Sequence, residues 1–129
     1  MNISEIMHDR PVRIEPNASL GDALKLMAEH NCRHLAVMEG PQVVGIISDR
    51  DLALYYDPMN MTPERWEQRK VRDLMTKNPT AIGSHAPFNE AANILLKEGF
   101  SALLIIDNGE LVGIVTDRDF VRYCAGQSD

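Results

Sequence analysis

The sequence lacks long apolar segments, a signal-peptide pattern and a paired-cysteine motif. Its longest apolar runs are four or five residues, whereas a transmembrane helix needs about 20. The N-terminus has neither a basic flank nor a long apolar core, so a signal peptide is not indicated. Cys32 and Cys124 are far apart and form no CxxC pair, which is typical of free thiols in a reducing compartment. These absences predict a cytoplasmic protein with no membrane segment.

The sequence also lacks the signatures of common catalytic and metal sites. It contains no GxGxxG stretch and no Walker loop. The four histidines, His8, His30, His34 and His85, are scattered without a serine or cysteine partner at a catalytic spacing. Cys32 and His34 supply two potential ligands, too few for a zinc site. We therefore expect no enzymatic activity, no metal and no required cofactor.

The charge of the chain excludes one further class of function. The formal net charge is −6, whereas proteins that bind nucleic acid through its phosphates carry a basic surface. We therefore expect no nucleic-acid partner, and a phosphate that binds here needs a local positive pocket.

What the sequence does contain is an internal duplication. A shift of 68 positions, which places Gly45 on Gly113 and Pro11 on Pro79, aligns the two halves without a gap over more than forty residues. The predicted organisation is a first repeat over residues 1–56, a linker with a helix over 57–70 and a second repeat over 71–129. The whole chain of 129 residues has the length and composition of an ordinary globular protein.

Each repeat predicts the same order of elements, β-α-β-β-α, after a lead-in that ends before a proline. The predicted strands cover residues 12–14, 34–38 and 43–48 in the first repeat and 80–82, 102–106 and 111–116 in the second. Residues 107–110, Asp-Asn-Gly-Glu, predict a hairpin turn, and 39–42 a looser one. A second helix begins near Asp49 or Asp117. We predict an α/β (α+β) fold whose two repeats pack through their sheets.

The first helix of each repeat, about 11 to 12 residues long, has an apolar face at helical spacing. It begins after a Ser19 cap with Asp22, or near Pro87. The predicted inner faces are Leu20, Ala23, Leu24 and Met27 in the first repeat, and Phe88, Ala91, Ala92 and Leu95 in the second. Residues 57–60 predict a break in the linker, followed by a helix that starts at Thr62-Pro63 and carries Trp66.

One stretch keeps its polar residues in both repeats. It is Gly-Ile-Ile-Ser-Asp-Arg-Asp at 45–51 and Gly-Ile-Val-Thr-Asp-Arg-Asp at 113–119. Each copy predicts a buried strand that runs into a helix N-terminus, where unbonded N–H groups attract anions. The two oxygens of Asp51 or Asp119 match the two adjacent hydroxyls of a ribose. The remaining polar members are Ser48, Arg50, Thr116 and Arg118, which supply hydroxyls and positive charge for a phosphate or ribose. Each copy is thus a candidate half of a nucleotide site.

The same spacing also has a purely structural interpretation. A hydroxyl at the N-cap and an acid three residues later form a capping box, and both copies satisfy that pattern. The two interpretations are compatible, because a cap fixes the geometry that a ligand uses. Gly45 and Gly113, inside strands, indicate close approach of another backbone or of a ligand. Arg33-His34 adds positive charge to the first repeat only, since Ser101-Ala102 stands at that place in the second, so the repeats should not bind equally.

The duplicated pattern resembles the CBS (cystathionine-β-synthase) domain pair, or Bateman module. The matching features are Ile6-Met7 and Leu74-Met75 before the prolines, the Arg-His-Leu-Ala-Val strand at 33–37, and the repeated motif ending in Asp-Arg-Asp. The resemblance covers about residues 3–125. It implies a regulatory module that binds adenine nucleotides in clefts between two domains and commonly forms a flat homodimer.

The resemblance also assigns roles to individual residues. It gives the ribose to Asp51 and Asp119, with Ser48 and Thr116 beside them. It gives the wall against adenine to Val12, Arg13, Ile14, Thr80, Ala81 and Ile82. It gives the phosphate to Arg33, His34, Arg50 and Arg118. The uncharged Ser101-Ala102 leaves S-adenosylmethionine open as the regulatory ligand beside AMP, ADP and ATP.

Two functions follow as expectations. The first is a sensor that binds an adenosine-containing ligand and signals its occupancy to an unknown effector protein in trans, with the chain as a homodimer. The alternative is a ligand-independent assembly module in which the repeated motif only caps helices. Loss of nucleotide binding on mutation of Asp51 or Asp119, with folding intact, separates the first from the second.

Overall fold

The computed structural model describes residues 2–54, 59, 62–99 and 101–126. The chain divides into two compact units, Met1–Pro11 with Thr80–Asp129, and Val12–Pro79. Each unit contains one four-stranded sheet. The fold is therefore mixed α+β, as the sequence predicts.

The elements follow the predicted order in both repeats. Along the chain they are a 3-10 helix (Ile3–Glu5), β1 (His8–Asp9), β2 (Arg13–Ile14), α1 (Leu20–His30), β3 (His34–Glu39), β4 (Gln42–Ser48), α2 (Asp49–Leu54), α3 (Pro63–Gln68), α4 (Val71–Leu74), β5 (Thr76–Lys77), β6 (Ala81–Ile82), α5 (Phe88–Glu98), β7 (Ala102–Asp107), β8 (Glu110–Thr116) and α6 (Asp117–Cys124). The bounds of the six predicted strands are confirmed to within one or two residues. Runs of β-branched residues and turn residues are local signals, so the sequence alone indicates them.

The hairpins and helix starts have the local chemistry that the sequence predicts. Asn108 and Gly109 both have positive φ, 51° and 81°, as a two-residue turn that matches the strand twist requires. The Ser19 hydroxyl accepts a hydrogen bond from the Asp22 N–H at 3.0 Å and caps α1. Thr62 caps α3 in the same way. The predicted break at residues 57–60 lies outside the described part of the chain except for Met59.

The predicted inner face of α1 is correct except at Leu24. Leu20, Ala23 and Met27 are buried, but Leu24 is 40% exposed. Positions 20, 23 and 27 lie on one narrow stripe of a helix with 3.6 residues per turn, and position 24 falls beside that stripe. In α5 the corresponding stripe buries Ala91 and Leu95.

Two short strands were not predicted, and they change which residues form each sheet. β1 pairs with β8, with His8 opposite Ile114, and β5 pairs with β4, with Thr76 opposite Ile46. The lead-in of each repeat therefore completes the sheet of the other repeat, in the orders β1-β8-β7-β6 and β2-β3-β4-β5. The compact units are therefore not bounded where the sequence repeats are, because each unit contains the lead-in segment of the other repeat. The repeat boundaries at 56 and 71 remain a prediction.

A hydrogen-bonded pair links β7 to the loop after β6. The Ser84 hydroxyl lies 2.5 Å from Asp107 Oδ2, and the Ser84 N–H donates to Oδ1 at 2.9 Å. These two hydrogen bonds lower the pKa of Asp107, with a smaller contribution from the nearby His85. A carboxylate that accepts hydrogen bonds is favoured over its protonated form. The pair is specific to the second repeat, since Pro16 and Glu39 stand at the matching places.

This lowered pKa predicts a pH dependence of stability. The pKa of Asp107 is lower in the folded chain than in the unfolded chain, where it is about 3.9, so the stabilisation is present above that value and is lost as pH falls. Urea unfolding measured between pH 2 and pH 7 should show a smaller acid loss for Asp107→Asn than for the wild type. Glu39→Gln, an exposed carboxylate at the matching strand position, should keep the wild-type acid loss. Parallel curves for the wild type and Asp107→Asn would contradict the prediction.

Candidate functional site

The first copy of the repeated motif forms a capped junction between β4 and α2. The Ser48 N–H donates to Asp51 Oδ2 at 2.8 Å, and the Asp51 N–H donates back to the Ser48 hydroxyl at 3.3 Å. The Ser48 hydroxyl also lies 3.1 Å from Oδ2. This reciprocal bonding is a capping box, so the predicted capping geometry is present here. In the described part of the chain, Asp51 Oδ1 meets no donor.

The second copy forms the same junction between β8 and α6. The Thr116 N–H and hydroxyl approach Asp119 Oδ2 at 2.7 Å and 3.2 Å. Asp119 differs from Asp51 in burial, because its side chain is only 2% exposed whereas Asp51 is half-buried. Charged carboxylates are rarely this buried unless they are paired. The capping interpretation holds in both repeats, yet the two carboxylates have different surroundings.

Asp119 is paired with His8, which sequence reasoning missed. His8 Nε2 lies 2.6 Å from Asp119 Oδ1, across 111 positions of sequence. A carboxylate is only an acceptor, so the imidazole N–H donates. Arg122 Nη1 stands 3.8 Å from the same oxygen. The one sequence signal for His8 was a mismatch between the repeats, since Thr76 occupies its place in the other lead-in.

The two repeated glycines allow the lead-in strands to approach. A Cβ on Gly45 would lie 2.6 Å from Met75 Sδ and 2.9 Å from the Thr76 carbonyl oxygen. A Cβ on Gly113 would lie 2.6 Å from Met7 Sδ and 3.0 Å from the His8 carbonyl oxygen. The predicted close approach is therefore confirmed as that of another backbone. It also explains why Met7 and Met75 recur, because each lies over one glycine.

Arg33 and His34 lie near the first junction. His34 pairs with Ser48 in the β3–β4 ladder, and the Arg33 carbonyl accepts the Asp49 N–H at 3.0 Å. The Arg33 side chain is 70% exposed, with Nε 4.0 Å from Asp49 Oδ2. The structure thus brings Arg33 and His34 to the end of β4, beside Ser48 of the motif.

The second junction has the same backbone pattern without that charge. Ala102 pairs with Thr116, and the Ser101 carbonyl accepts the Asp117 N–H at 3.0 Å. Arg118 is exposed, as is Arg50 in the first repeat. The predicted inequality of the two repeats in local charge is therefore present in the structure.

The first-repeat residues assigned to the adenine wall are separated from β4 by β3, and the Ala36 N–H donates to the Val12 carbonyl at 3.0 Å. In β2, Arg13 pairs with Ala36 and Ile14 with Val37, on the far side of β3 from β4. Ile14 is buried in the core, whereas Thr80 and Ala81 at the start of the second repeat's first strand are exposed. Val12 and Ile82 are half-buried. The role of these six residues against adenine remains a prediction.

A cavity of about 580 Å³ lies beside Arg13 and Ile14 in the unit Val12–Pro79. Its lining comes from β2, α1 and the turn end of β3, and includes Lys25, Met38 and Gly40. Ser48 stands at the opposite end of β4 from that turn. Ser48 is not among the residues that line this cavity.

The cysteine, histidine and acidic side chains of the described residues form no cluster that could hold a metal ion, and the two cysteines form no disulfide. No cluster of three histidine, cysteine or acidic side chains able to hold a metal ion occurs in residues 2–54, 59, 62–99 and 101–126. Cys32 and Cys124 are both free. Burial raises the pKa of the Cys32 thiol, against a smaller opposing hydrogen bond from the His34 backbone. No helix in those ranges has the length and apolar character needed to cross a bilayer.

Comparison with proteins of known sequence or structure identifies the repeat. The chain is 34% identical over 122 residues to a 17.7 kDa protein of Acidianus ambivalens, covering 93% of this chain and 71% of that protein. It is 30% identical to the inosine-5′-monophosphate dehydrogenase of Korarchaeum cryptofilum, over 84% of this chain but only 21% of the enzyme. The chain thus corresponds to most of one relative and about a fifth of the other.

Solved structures agree over nearly the whole chain. CBSX2 in complex with AMP has a TM-score of 0.79 and 30% identity, with 97% of this chain and 96% of that chain covered. The CBS domain pair of MJ0100, in complex with 5′-methylthioadenosine and S-adenosyl-L-methionine, has a TM-score of 0.84 and 26% identity, with 98% and 97% covered. The sequence profile of the CBS domain matches residues 3–57 and 71–126. The chain therefore belongs to the CBS domain family and carries two copies of the domain.

Proposed function

We propose that the protein is a regulatory module that binds an adenosine-containing ligand, of the AMP, ADP and ATP class or S-adenosylmethionine, at the junctions that carry Asp51 and Asp119. The observation that carries the proposal is the bonding of Asp51. Its Oδ2 is used by the Ser48 cap, and Oδ1 meets no donor in the described residues. That arrangement leaves an acceptor for a ribose hydroxyl near the positive charge of Arg33 and the imidazole of His34.

The ligand class comes from the adenosine that the ligands of two relatives share. CBSX2 is solved with AMP, and the MJ0100 domain pair with 5′-methylthioadenosine and S-adenosyl-L-methionine. These three ligands differ in charge at the 5′ position and have the adenine and the ribose in common. A site that reads the ribose through a carboxylate accepts all three, and the charge near Ser48 favours a phosphate there.

A regulatory role requires that occupancy changes the protein. A ligand shifts an equilibrium between two conformations only as far as its affinities for them differ. We propose that this shift is read by an effector protein in trans, and that the chain works as a homodimer. The homodimer is supported by large apolar side chains exposed on helices of both units, which are Leu24, Leu54, Leu96, Val121 and Tyr123. Light scattering on the purified chain measures that assembly.

The proposal predicts that Asp51→Ala weakens adenosine-ligand binding at least about tenfold, because the charge-assisted hydrogen bonding of the ribose to Oδ1 is lost. Isothermal titration with AMP and with S-adenosylmethionine measures the change. Asp73→Ala, which removes the same charge from an exposed position on α4, should bind as the wild type does. Circular dichroism confirms that each variant is folded.

The opposite results favour an assembly module. Absence of heat with AMP, ADP, ATP and S-adenosylmethionine, for a folded wild type, would reject the ligand-binding function. Equal affinities for the wild type and Asp51→Ala would reject the role of Asp51 in it. In the first case the capping boxes, which are complete without a ligand, would be the sole function of the motif.

A further inference from the structure

The carboxylate of Asp119 is already bonded on both oxygens. Oδ2 receives the Thr116 N–H and hydroxyl, at 2.7 Å and 3.2 Å. Oδ1 receives His8 Nε2 at 2.6 Å and faces Arg122 Nη1 at 3.8 Å. The Asp119 side chain is only 2% exposed.

This bonding leaves too little capacity for a ribose. A carboxylate offers about four acceptor positions in total, and three of them are taken by Thr116 and His8. The two adjacent hydroxyls of a ribose bring two donors, so they bind Asp119 together only after the imidazole has left Oδ1. A ribose and His8 therefore compete for the same oxygen.

His8 is placed so that its ring can leave without unfolding the sheet. Its backbone is held in β1 opposite Ile114, whereas its side chain is 43% exposed. Rotation about the side-chain torsions moves an imidazole from one staggered position to another without moving the backbone. The ring can thus open the carboxylate while the β1–β8 ladder remains intact.

The other repeat has no such ring. Thr76 occupies the place of His8, on β5 opposite Ile46, and Asp51 is half-buried. Within residues 2–54, 59, 62–99 and 101–126, Oδ1 of Asp51 has no donor to displace. A ligand at the first junction therefore avoids the cost that His8 imposes at the second.

We propose that His8 is a specificity-determining residue that competes with the ribose for Asp119, so that the junction at Asp51 is the tighter site and the junction at Asp119 opens only when the imidazole is displaced. This inference rests on the proposed function and deepens it, because it assigns unequal affinities to the two sites and names the side chain responsible. The same competition makes the second site a sensor of higher ligand concentrations.

The test isolates the second site by removing the first. In an Asp51→Ala background, AMP should bind weakly, and adding His8→Thr, the residue of the other repeat, should tighten AMP binding at least about tenfold in isothermal titration, because one charge-assisted hydrogen bond no longer has to be broken. His8→Gln, whose amide can still donate to Oδ1, is the matched control and should remain weak. The gain should disappear with 2′-deoxy-AMP, which lacks one of the competing hydroxyls, and on further mutation of Asp119→Ala.

Each outcome separates the two claims. If the wild type binds AMP but His8→Thr gives no tightening in the Asp51→Ala background, the inference is wrong and the proposed function survives. A loss of affinity there would show that His8 helps to hold the ligand, which also overturns the inference. If no folded variant binds AMP or S-adenosylmethionine, both the proposed function and the inference about His8 are wrong. A merely structural role for His8 lowers the urea midpoint of His8→Thr and cannot produce a gain in affinity.

Discussion

Replacing Gly45 by valine is expected to lower the free energy of unfolding by about 3 kcal/mol, the upper end of what overpacking costs. A Cβ at this position would lie 2.6 Å from Met75 Sδ and 2.9 Å from the Thr76 carbonyl oxygen. The methionine side chain can move aside, but the carbonyl belongs to β5, which is paired with β4 at this point. The clash is relieved only if β5 separates from the sheet. For a domain with typical total stability of about 5–15 kcal/mol, that is a large loss.

Urea unfolding of Gly45→Val and of Gly21→Ala tests this prediction. Gly21 lies in α1, and a Cβ there would meet its nearest neighbour, Glu67 Cβ, at an ordinary 3.5 Å. Gly21→Ala should therefore be neutral or more stable than the wild type by up to about 1 kcal/mol, because alanine favours helix over glycine. Gly113→Val should behave as Gly45→Val does, since the two environments match. Wild-type stability for Gly45→Val would mean that β5 does not pack on β4 as described.

Local patterns in the sequence predicted most of the fold. The strands around Gly45 and Gly113 are short runs of β-branched residues between turn signals, and the capping boxes at Ser48 and Thr116 depend on residues three positions apart. Such signals lie within one element, so a single sequence carries them. The duplication helped further, because each half gave an independent copy of the same pattern.

Contacts between distant positions were not predictable in the same way. β1 is two residues long, and nothing in its composition indicates that His8 pairs opposite Ile114. The bond from His8 to Asp119 spans 111 positions and that from Ser84 to Asp107 spans 23. Periodicity describes only which face of an element is apolar, and it does not specify which segment covers that face. The contact that distinguishes Asp119 from Asp51 is one of these distant contacts.

Leu24 shows that, even within one helix, sequence periodicity does not fully predict which side chains are buried. The spacing of Leu20, Ala23 and Leu24 fits an amphipathic face, yet Leu24 is one of the exposed apolar side chains. Periodicity defines a direction on the helix, but the width of the buried stripe depends on the elements packed against it. Which elements pack against the helix also decides whether an apolar side chain belongs to the core or to an interface.

The difference between the two carboxylates should be measurable without any ligand. Asp119→Ala is expected to lower the free energy of unfolding by about 2–3 kcal/mol, because Thr116 and His8 lose a buried acceptor. Asp51→Ala removes a cap from a half-buried site and is expected to cost about 1 kcal/mol. Urea unfolding of Asp119→Ala and Asp51→Ala at the same pH measures the two losses in the free energy of unfolding. Asp119→Asn, which keeps one acceptor oxygen for the Thr116 N–H, should fall between Asp119→Ala and the wild type.

Equal costs at the two positions would contradict the burial and the His8 contact of Asp119. The expected inequality decides how ligand data are interpreted, because a variant that loses several kcal/mol can lose binding through partial unfolding. Asp119→Ala therefore tests the stability of its unit first and ligand binding second. Asp51→Ala, with its small structural cost, is the variant whose loss of affinity reports directly on the ribose contact.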